Sequence, residues 1–133
     1  MKAQIFFLAV IFLGVPELLT AQHDPTQAKI VSDTLNNSYA DSTEYELIVF
    51  DNDFNNWLIT NSRPVNFYEN QYYRTKNHLN SVTWNNLVKQ YLHQPPYEYE
   101  IDYQPEIDYG IEVNWKLCWY FRYLEGTLGV KLN

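Results

Sequence analysis

Carboxylates and tyrosines are concentrated in one tract of this chain, which runs from Tyr97 to Glu112. Two carboxylates in different environments can hydrolyse a glycoside, because one then serves as the acid and the other as nucleophile or base. A small glycoside hydrolase using carboxylates between Glu98 and Glu112 is therefore one hypothesis. Solvent-facing strand edges explain the same residues in so acidic a chain, so an enzyme is not the leading prediction.

The tyrosines of the same tract suit a different kind of site, one that binds carbohydrate. An exposed aromatic ring stacks on the apolar face of a sugar, and neighbouring carboxylates accept hydrogen bonds from its hydroxyl groups. The tryptophans, in contrast, lie on apolar stripes and are assigned to the core. A carbohydrate-binding module is a second hypothesis, with these candidate ligand-binding residues: Tyr97, Tyr99, Tyr103, Tyr109, Asp102 and Asp108.

An incomplete calcium-loop pattern follows the first apolar run of the globular part. Asp51, Asp53 and Asn55 alternate as the first oxygen ligands of such a loop do. The pattern fails at Asn56, where the loop needs glycine, and at Ser62, where it needs a bidentate glutamate. A strand end followed by a helix cap explains the same residues. The three histidines are not spaced in sequence as metal ligands are. No metal, cofactor or catalytic residue is predicted.

The single cysteine, Cys118, cannot form a disulfide within the chain. No histidine lies near it in sequence, so nothing marks it as a nucleophile. We predict that it is a small buried residue, and an intermolecular disulfide or a nucleophilic role is the alternative.

The charge balance restricts the kind of partner. The net charge is −7, and the basic residues are scattered singly along the chain. Nucleic acid and anionic lipid surfaces both require clustered lysine and arginine, so neither is predicted as a partner. A negatively charged surface attracts cationic partners or metal ions instead.

Two short elements are predicted to precede the acidic tract. Tyr45 to Phe50 is an apolar, β-branched run, typical of a largely buried strand. A helix over Phe54 to Thr60 follows, capped by Asn52 or Asp53, because its large apolar residues fall on one face.

A longer helix is predicted over Tyr68 to Leu92, where two apolar stripes occur. The stripes are out of phase, and the shift falls at Asn80 and Ser81. We therefore expect a break there, with Ser81 capping the second part of the helix.

The C-terminal third alternates apolar and polar residues. This pattern favours a strand over Ile111 to Tyr123, paired as a hairpin with Tyr97 to Tyr103. A helix over the same residues, ending with a cap at Gly126, is the alternative. Gly110 is expected to hold a positive φ at the entry to this element.

The first residues resemble an export signal. Lys2 precedes an apolar run from Ile5 to Val15, and Ala21 offers a small residue at a cleavage edge. A membrane-spanning helix needs about 20 apolar residues and the run has roughly half of that, so no transmembrane span is predicted in the mature chain. No cysteine lies just after the run to carry a lipid, and release without a lipid anchor is expected.

These patterns together predict the domain organisation. Residues 1–21 form the signal peptide, 22–43 a flexible tether and 44–133 one globular domain. The predicted fold is α+β, with a small antiparallel sheet packed by one long or broken helix. A mostly α-helical domain is the alternative.

Several segments together resemble a family of small proteins of unknown function from the Bacteroidota. The residues that carry the resemblance are Tyr45 to Val49, Phe54, Trp57-Leu58, Trp84-Asn85 and Ile107 to Leu117, with Tyr120-Phe121. The resemblance implies an exported or lipid-anchored envelope protein. It implies no catalytic or binding residues.

The leading prediction from sequence is an exported, periplasmic or secreted protein of the cell envelope that binds a partner without catalysis. An envelope protein or a glycan is the expected partner. The carbohydrate-binding module and the glycoside hydrolase are the alternatives.

Overall fold

A computed structural model describes residues 27–34 and 43–133. Within them, two strands, three α-helices and a 3₁₀ turn follow in the order β1 Ala28–Thr34, β2 Thr43–Val49, α1 Asn52–Asn61, the turn Val65–Phe67, α2 Asn70–Gln90 and α3 Ile111–Leu128. The predicted α+β class is confirmed. The signal peptide predicted over 1–21 lies outside the described residues, as do 22–26 and 35–42 of the predicted tether.

The sheet is an antiparallel ribbon of β1 and β2, in which Ala28 lies opposite Val49 and Ile30 opposite Leu47. These four residues share one face and pack on the core. Over Ala28–Thr34 the prediction of a tether is therefore wrong. The strand contains too few apolar residues to show a period, and its inner face is recognisable only once β2 lies beside it.

Strand β2 is buried on one face only. Leu47 is buried, whereas Glu46 and Ile48 are exposed. The predicted strand is confirmed, and the prediction that it is largely buried is wrong, because only one layer of helices packs against the ribbon.

Helix α1 confirms the helix predicted over Phe54 to Thr60, with Phe54 and Leu58 buried. Its N-cap is Asp51, not Asn52 or Asp53. The Asp51 carboxylate accepts a hydrogen bond from the backbone N–H of Asp53 at 2.9 Å, which is the usual role of an N-cap side chain.

Helix α2 is continuous from Asn70 to Gln90, so the predicted break at Asn80 and Ser81 is wrong. The two apolar stripes are joined by buried polar residues, because Asn77, Asn80 and Ser81 lie on the same face as Trp84. Ser81 is no cap: its hydroxyl donates to the carbonyl of His78 at 3.0 Å.

Helix α3 replaces the strand predicted over Ile111 to Tyr123, and Tyr97 to Tyr103 forms no hairpin with it. The helix contacts β2, α1, α2 and the 3₁₀ turn. A helix enclosed on most sides is apolar nearly all round, which hides the helical period. It ends at Gly129, whose φ of 66° is left-handed, and Gly126 lies within the helix.

A buried polar network holds α2 against α3. The side-chain amide of Asn77 donates to the carbonyl of Asn114 at 2.8 Å, and that of Asn114 donates to Asn70 Oδ1 at 2.9 Å. The hydroxyl of Tyr103, in the long connection before α3, donates to Asn114 Oδ1 at 2.9 Å. These bonds offset part of the cost of burying the amides and fix how the two helices and the connection fit together.

Candidate functional site

A surface groove lies between the first half of β2 and the first turns of α3. It consists of two adjoining cavities of about 550 Å³ and about 260 Å³, both lined by Tyr45, Glu112 and Val113. We call this the β2–α3 groove. Helix α3 and the 3₁₀ turn provide its apolar wall, formed by Val65, Val113 and Trp115.

A hydrogen bond between two segments that are distant in sequence holds the apolar wall in place. The indole N–H of Trp115 donates to the carbonyl of Arg63 at 2.8 Å, which ties α3 to the segment before the 3₁₀ turn. The half-buried Trp115 ring is thereby held in place at the groove.

The turn that leads into α3 forms one side of the larger cavity. Gly110 has φ 85° and ψ 157°, a backbone conformation that is essentially restricted to glycine. Its N–H donates to the carboxylate of Asp108 at 3.1 Å. The predicted positive φ is confirmed, and the turn places Asp108 and Glu112 at the rim of the groove.

Three tyrosines lie one against the next beneath the larger cavity. The ring of Tyr45 meets that of Tyr109 edge-on, with centroids 5.0 Å apart, and Tyr109 lies 5.2 Å from Tyr103. The hydroxyl of Tyr109 accepts a hydrogen bond from the N–H of Gln104 at 3.1 Å. Burial raises the pKa of Tyr109, and raises that of Tyr103 to about 12. The phenols of Tyr103 and Tyr109 are therefore neutral at physiological pH.

One edge of β2 is open along the groove. The N–H of Phe50 donates to the carbonyl of Gln27, the residue directly opposite, at 2.9 Å. Because hydrogen-bonded and non-bonded pairs alternate in an antiparallel ladder, the peptide groups of Tyr45 and Leu47 point away from β1. The Lys116 ammonium donates to the carbonyl of Leu47 at 3.0 Å, which agrees with this direction.

Three of the four backbone groups that Tyr45 and Leu47 direct to this edge have no hydrogen-bond partner among the described residues. In the part of the chain that the structure describes, no residue hydrogen-bonds to the N–H or carbonyl of Tyr45, or to the N–H of Leu47. An open strand edge beside an apolar wall is a template for pairing with another chain.

The rim of the groove is acidic. Glu44, Glu46, Asp108 and Glu112 are exposed and line its two cavities. Lys116 is the one cation among the described residues that line it. The groove therefore presents negative charge around an apolar wall.

Comparison with known proteins gives a family and no activity. The model of a family of unknown function, DUF6146, matches residues 5–133. The chain belongs to this family. No curated protein and no solved structure matches it with significance. The match covers the ribbon, all three α-helices and the groove, and the predicted resemblance to a family of unknown function is confirmed. Membership of DUF6146 assigns no ligand and no catalytic residue.

The candidate tyrosines of this DUF6146 member differ in their exposure to solvent. Tyr103 and Tyr109 are each 7 % exposed, so the prediction that they belong to an exposed platform is wrong. Tyr97 is half-buried, and its ring stacks on that of Tyr91 with centroids 4.6 Å apart. Tyr99 is 41 % exposed, and its carbonyl accepts a hydrogen bond from the Trp84 indole at 2.9 Å.

The candidate carboxylates are divided as well. Asp108 lines the groove, whereas the exposed Asp102 does not. Sequence reasoning missed Glu44, Glu46 and Lys116. The alternation of Thr43–Val49 could have assigned both glutamates to the solvent face, but the contact of Lys116 with β2 joins segments that are 69 residues apart.

The calcium-like residues have a structural role in this DUF6146 member. The buried Asp51 caps α1, and Asp53 and Asn55 are exposed on that helix. Over residues 27–34 and 43–133, no group of three or more histidine, cysteine or acidic side chains could hold a metal ion.

Cys118 is buried, at 3 % exposure, as predicted. Burial raises the pKa of its thiol, and this disfavours the reactive thiolate.

No helix in the described parts of the chain is long and apolar enough to cross a membrane.

Proposed function

We propose that this DUF6146 member is an exported, non-enzymatic binding module of the cell envelope, and that the β2–α3 groove is its binding surface. The observation that carries the proposal is the open edge of β2, where the peptide groups of Tyr45 and Leu47 face an apolar wall. When a ligand covers this edge, the backbone groups gain hydrogen bonds and the apolar wall beside them is removed from water.

Export is supported by the sequence before the described residues. The cationic Lys2, the apolar run from Ile5 to Val15 and the small residue Ala21 form the pattern of a cleaved signal. The resemblance noted in the sequence implies an exported or lipid-anchored envelope protein, which is consistent with export. Because no cysteine lies just after the apolar run to carry a lipid, we expect a released protein without a lipid anchor.

Binding is a better-supported role than hydrolysis. Of the carboxylates between Glu98 and Glu112, Asp108 and Glu112 line the groove, and both are exposed at its rim, whereas hydrolysis needs two carboxylates in different environments. The Cys118 thiol is buried and its pKa is raised. The groove thus offers hydrogen-bonding backbone, apolar surface and negative charge, which are the elements of recognition.

Site-specific photocrosslinking in living cells tests the binding surface. A photoreactive amino acid replaces Glu46 at the rim of the groove, or Asn86, an exposed residue of α2, as the matched control. Adducts are expected from position 46 and not from position 86, since only the former lies on the groove. Equal adducts from both positions, or none from position 46, would contradict the proposal.

Cell fractionation with N-terminal sequencing tests export. The protein is expected outside the cytoplasm with a new N-terminus after Ala21, and Leu8→Arg, which interrupts the apolar run, is expected to retain it in the cytoplasm. Recovery of the unchanged chain from the cytoplasm with Met1 in place would contradict export.

Carbohydrate binding is the second candidate, and exposed rings near the end of α2 favour it. Tyr91 is 49 % exposed while its ring stacks on that of Tyr97, and Tyr99 is exposed nearby in sequence. Loss of polysaccharide retention in Tyr91→Ala and Tyr99→Ala, with the fold unchanged, would support this candidate. Unchanged retention in both variants would remove it.

A further inference from the structure

We infer that the β2–α3 groove takes an extended peptide with alternating basic and apolar side chains, which adds to β2 as a third, antiparallel strand. The inference rests on the proposed function, because it uses the same groove. It specifies the chemical class of the partner and the way in which the partner is bound.

The backbone of β2 provides the pairing. Tyr45 and Leu47 are two residues apart and both direct their peptide groups to the open edge, so they can form successive hydrogen-bonded pairs with a neighbouring strand. Such a strand lies about 4.8 Å from β2. Both cavities of the groove lie along this edge, with Thr43, Glu44 and Tyr45 lining one, and Tyr45, Glu46 and Leu47 the other.

The two faces of β2 specify the side chains of the peptide. In an antiparallel hydrogen-bonded pair, directly opposed residues lie on the same face of the sheet. Peptide residues opposite Tyr45 and Leu47 therefore face inward, toward Val113 and Trp115, and should be apolar. The residues between them lie on the outer face with Glu44 and Glu46, and should be basic.

Charge complementarity decides between the occupants that could fill the groove. Segments 1–26 and 35–42 of this chain contain one lysine, Lys2, and no arginine, so they cannot neutralise four carboxylates. A second copy would bring the same acidic rim and a net charge of −7, and repulsion opposes that pairing. A basic peptide from another protein is the complementary occupant.

Lys116 closes part of the edge in the free protein. Its ammonium donates a hydrogen bond to the carbonyl of Leu47, which is the acceptor that a peptide N–H would use. Lysine is a common protecting residue at exposed strand edges, where it prevents unwanted pairing. Binding therefore requires the Lys116 side chain to move away, and its positive charge opposes a basic peptide.

Synthetic hexapeptides test the inference on protein purified from cells that express the whole chain. The probe is acetyl-Lys-Val-Lys-Val-Lys-Val-amide, measured by calorimetry. Methylation of the valine backbone nitrogens, which face β2 in an antiparallel strand, is expected to weaken binding at least tenfold. Methylation of the lysine backbone nitrogens, which face solvent, is the matched control and should leave binding within about twofold.

Amide hydrogen exchange identifies the paired edge. The probe peptide is expected to slow exchange at Tyr45 and Leu47 at least tenfold, whereas Glu46, whose N–H pairs with β1, should change little. A peptide with glutamate in place of lysine should bind at least tenfold more weakly.

Variants of the protein test the charges. Lys116→Met is expected to tighten binding of the probe peptide several-fold, and Glu46→Gln to weaken it several-fold. Glu100→Gln, an exposed carboxylate that does not line the groove, is the control and should have no effect.

Failure of the inference is distinguishable from failure of the proposed function. Undetectable binding of the probe peptide, equal binding of the valine-methylated peptide, or unchanged exchange at Tyr45 and Leu47 would overturn strand addition. Adducts from position 46 in cells would still support the groove as a binding surface. Concentration-dependent protection of the same amides without peptide would overturn the inference in favour of a second copy of this chain.

Discussion

The buried carboxylate of Asp51 joins three parts of the molecule. It follows β2, caps α1 through the N–H of Asp53, and accepts a second hydrogen bond from the hydroxyl of Tyr123 on α3. A buried carboxylate is costly unless donors replace the water that it loses. The two donors from α1 and α3 therefore make this residue a fixed junction between the helices.

Removing the hydroxyl at this junction is expected to destabilise the protein. Tyr123→Phe leaves Asp51 with one donor fewer, and the free energy of unfolding should fall by about 1–3 kcal/mol at pH 7. Urea unfolding followed by circular dichroism measures the change. Tyr99→Phe, at an exposed ring, is the control and should change stability by less than about 0.5 kcal/mol. Equal effects of the two substitutions would contradict the role of the junction.

The same phenol predicts a loss of stability in alkali. Burial, together with the neighbouring Asp51, raises the pKa of Tyr123 from 10.0 to about 12. The unfolded chain therefore releases this proton first, and the free energy of unfolding falls as the pH rises from 10.0 to about 12. Tyr123→Phe should show a smaller loss over this window than the unsubstituted protein. Parallel pH profiles for the two proteins would argue against a contribution of Tyr123 to this loss of stability.

At the scale of elements, α3 is shaped by glycines at both of its ends. Gly110 begins the helix with φ 85° and Gly129 ends it with φ 66°. Gly126 lies between them as an ordinary helical residue. A Cβ added at Gly110 or Gly126 would meet no atom within 4 Å, so the backbone alone decides what substitution does at each position.

Alanine at these two glycines is expected to have opposite effects. Gly110→Ala should lower the free energy of unfolding by about 1–3 kcal/mol, because its φ and ψ are strained for any residue with a Cβ. Gly126→Ala should raise it by about 0.5–1 kcal/mol, because alanine favours the helix. Thermal and urea unfolding measure both. Stabilisation by Gly110→Ala would contradict the assigned turn.

At the scale of the whole molecule, the strands and helices share one core. Phe54 of α1, Trp84 of α2 and Leu117 of α3 pack in the same cluster as Leu47 of β2 and Ala28 of β1. The core therefore extends into the segment that the sequence predicts to be a tether.

Truncation tests where the folded unit begins. A chain reduced to 44–133 loses the strand that packs Ala28 and Ile30 on the core, and should be less stable than 27–133 by on the order of 3 kcal/mol. Ile30→Ser in the whole chain tests the same contact without truncation and should also destabilise. Equal stability of the two truncated chains would restore the boundary predicted at residue 44.

Local features of the sequence were sufficient for part of the fold. The strand around Leu47, the helix around Phe54 and Leu58 and the helical character of α2 follow from periodicity and helix breakers, which act over a few neighbouring residues. The prediction of a break at Asn80 and Ser81 was wrong because buried polar side chains continue the inner face of α2. That continuation depends on the partners that Asn77 finds on α3.

The sequence by itself determined the α+β class, the positive φ of Gly110 and the acidic character of the surface, because these depend on composition and local backbone sterics. Only the tertiary structure decided that Ile111–Leu128 is a helix, that Ala28–Thr34 is a strand and that Tyr103 and Tyr109 are buried. It also formed the groove, whose parts come from β2, the 3₁₀ turn and α3. The physical reason is that burial and strand pairing depend on contacts between residues far apart in sequence, which no local pattern contains.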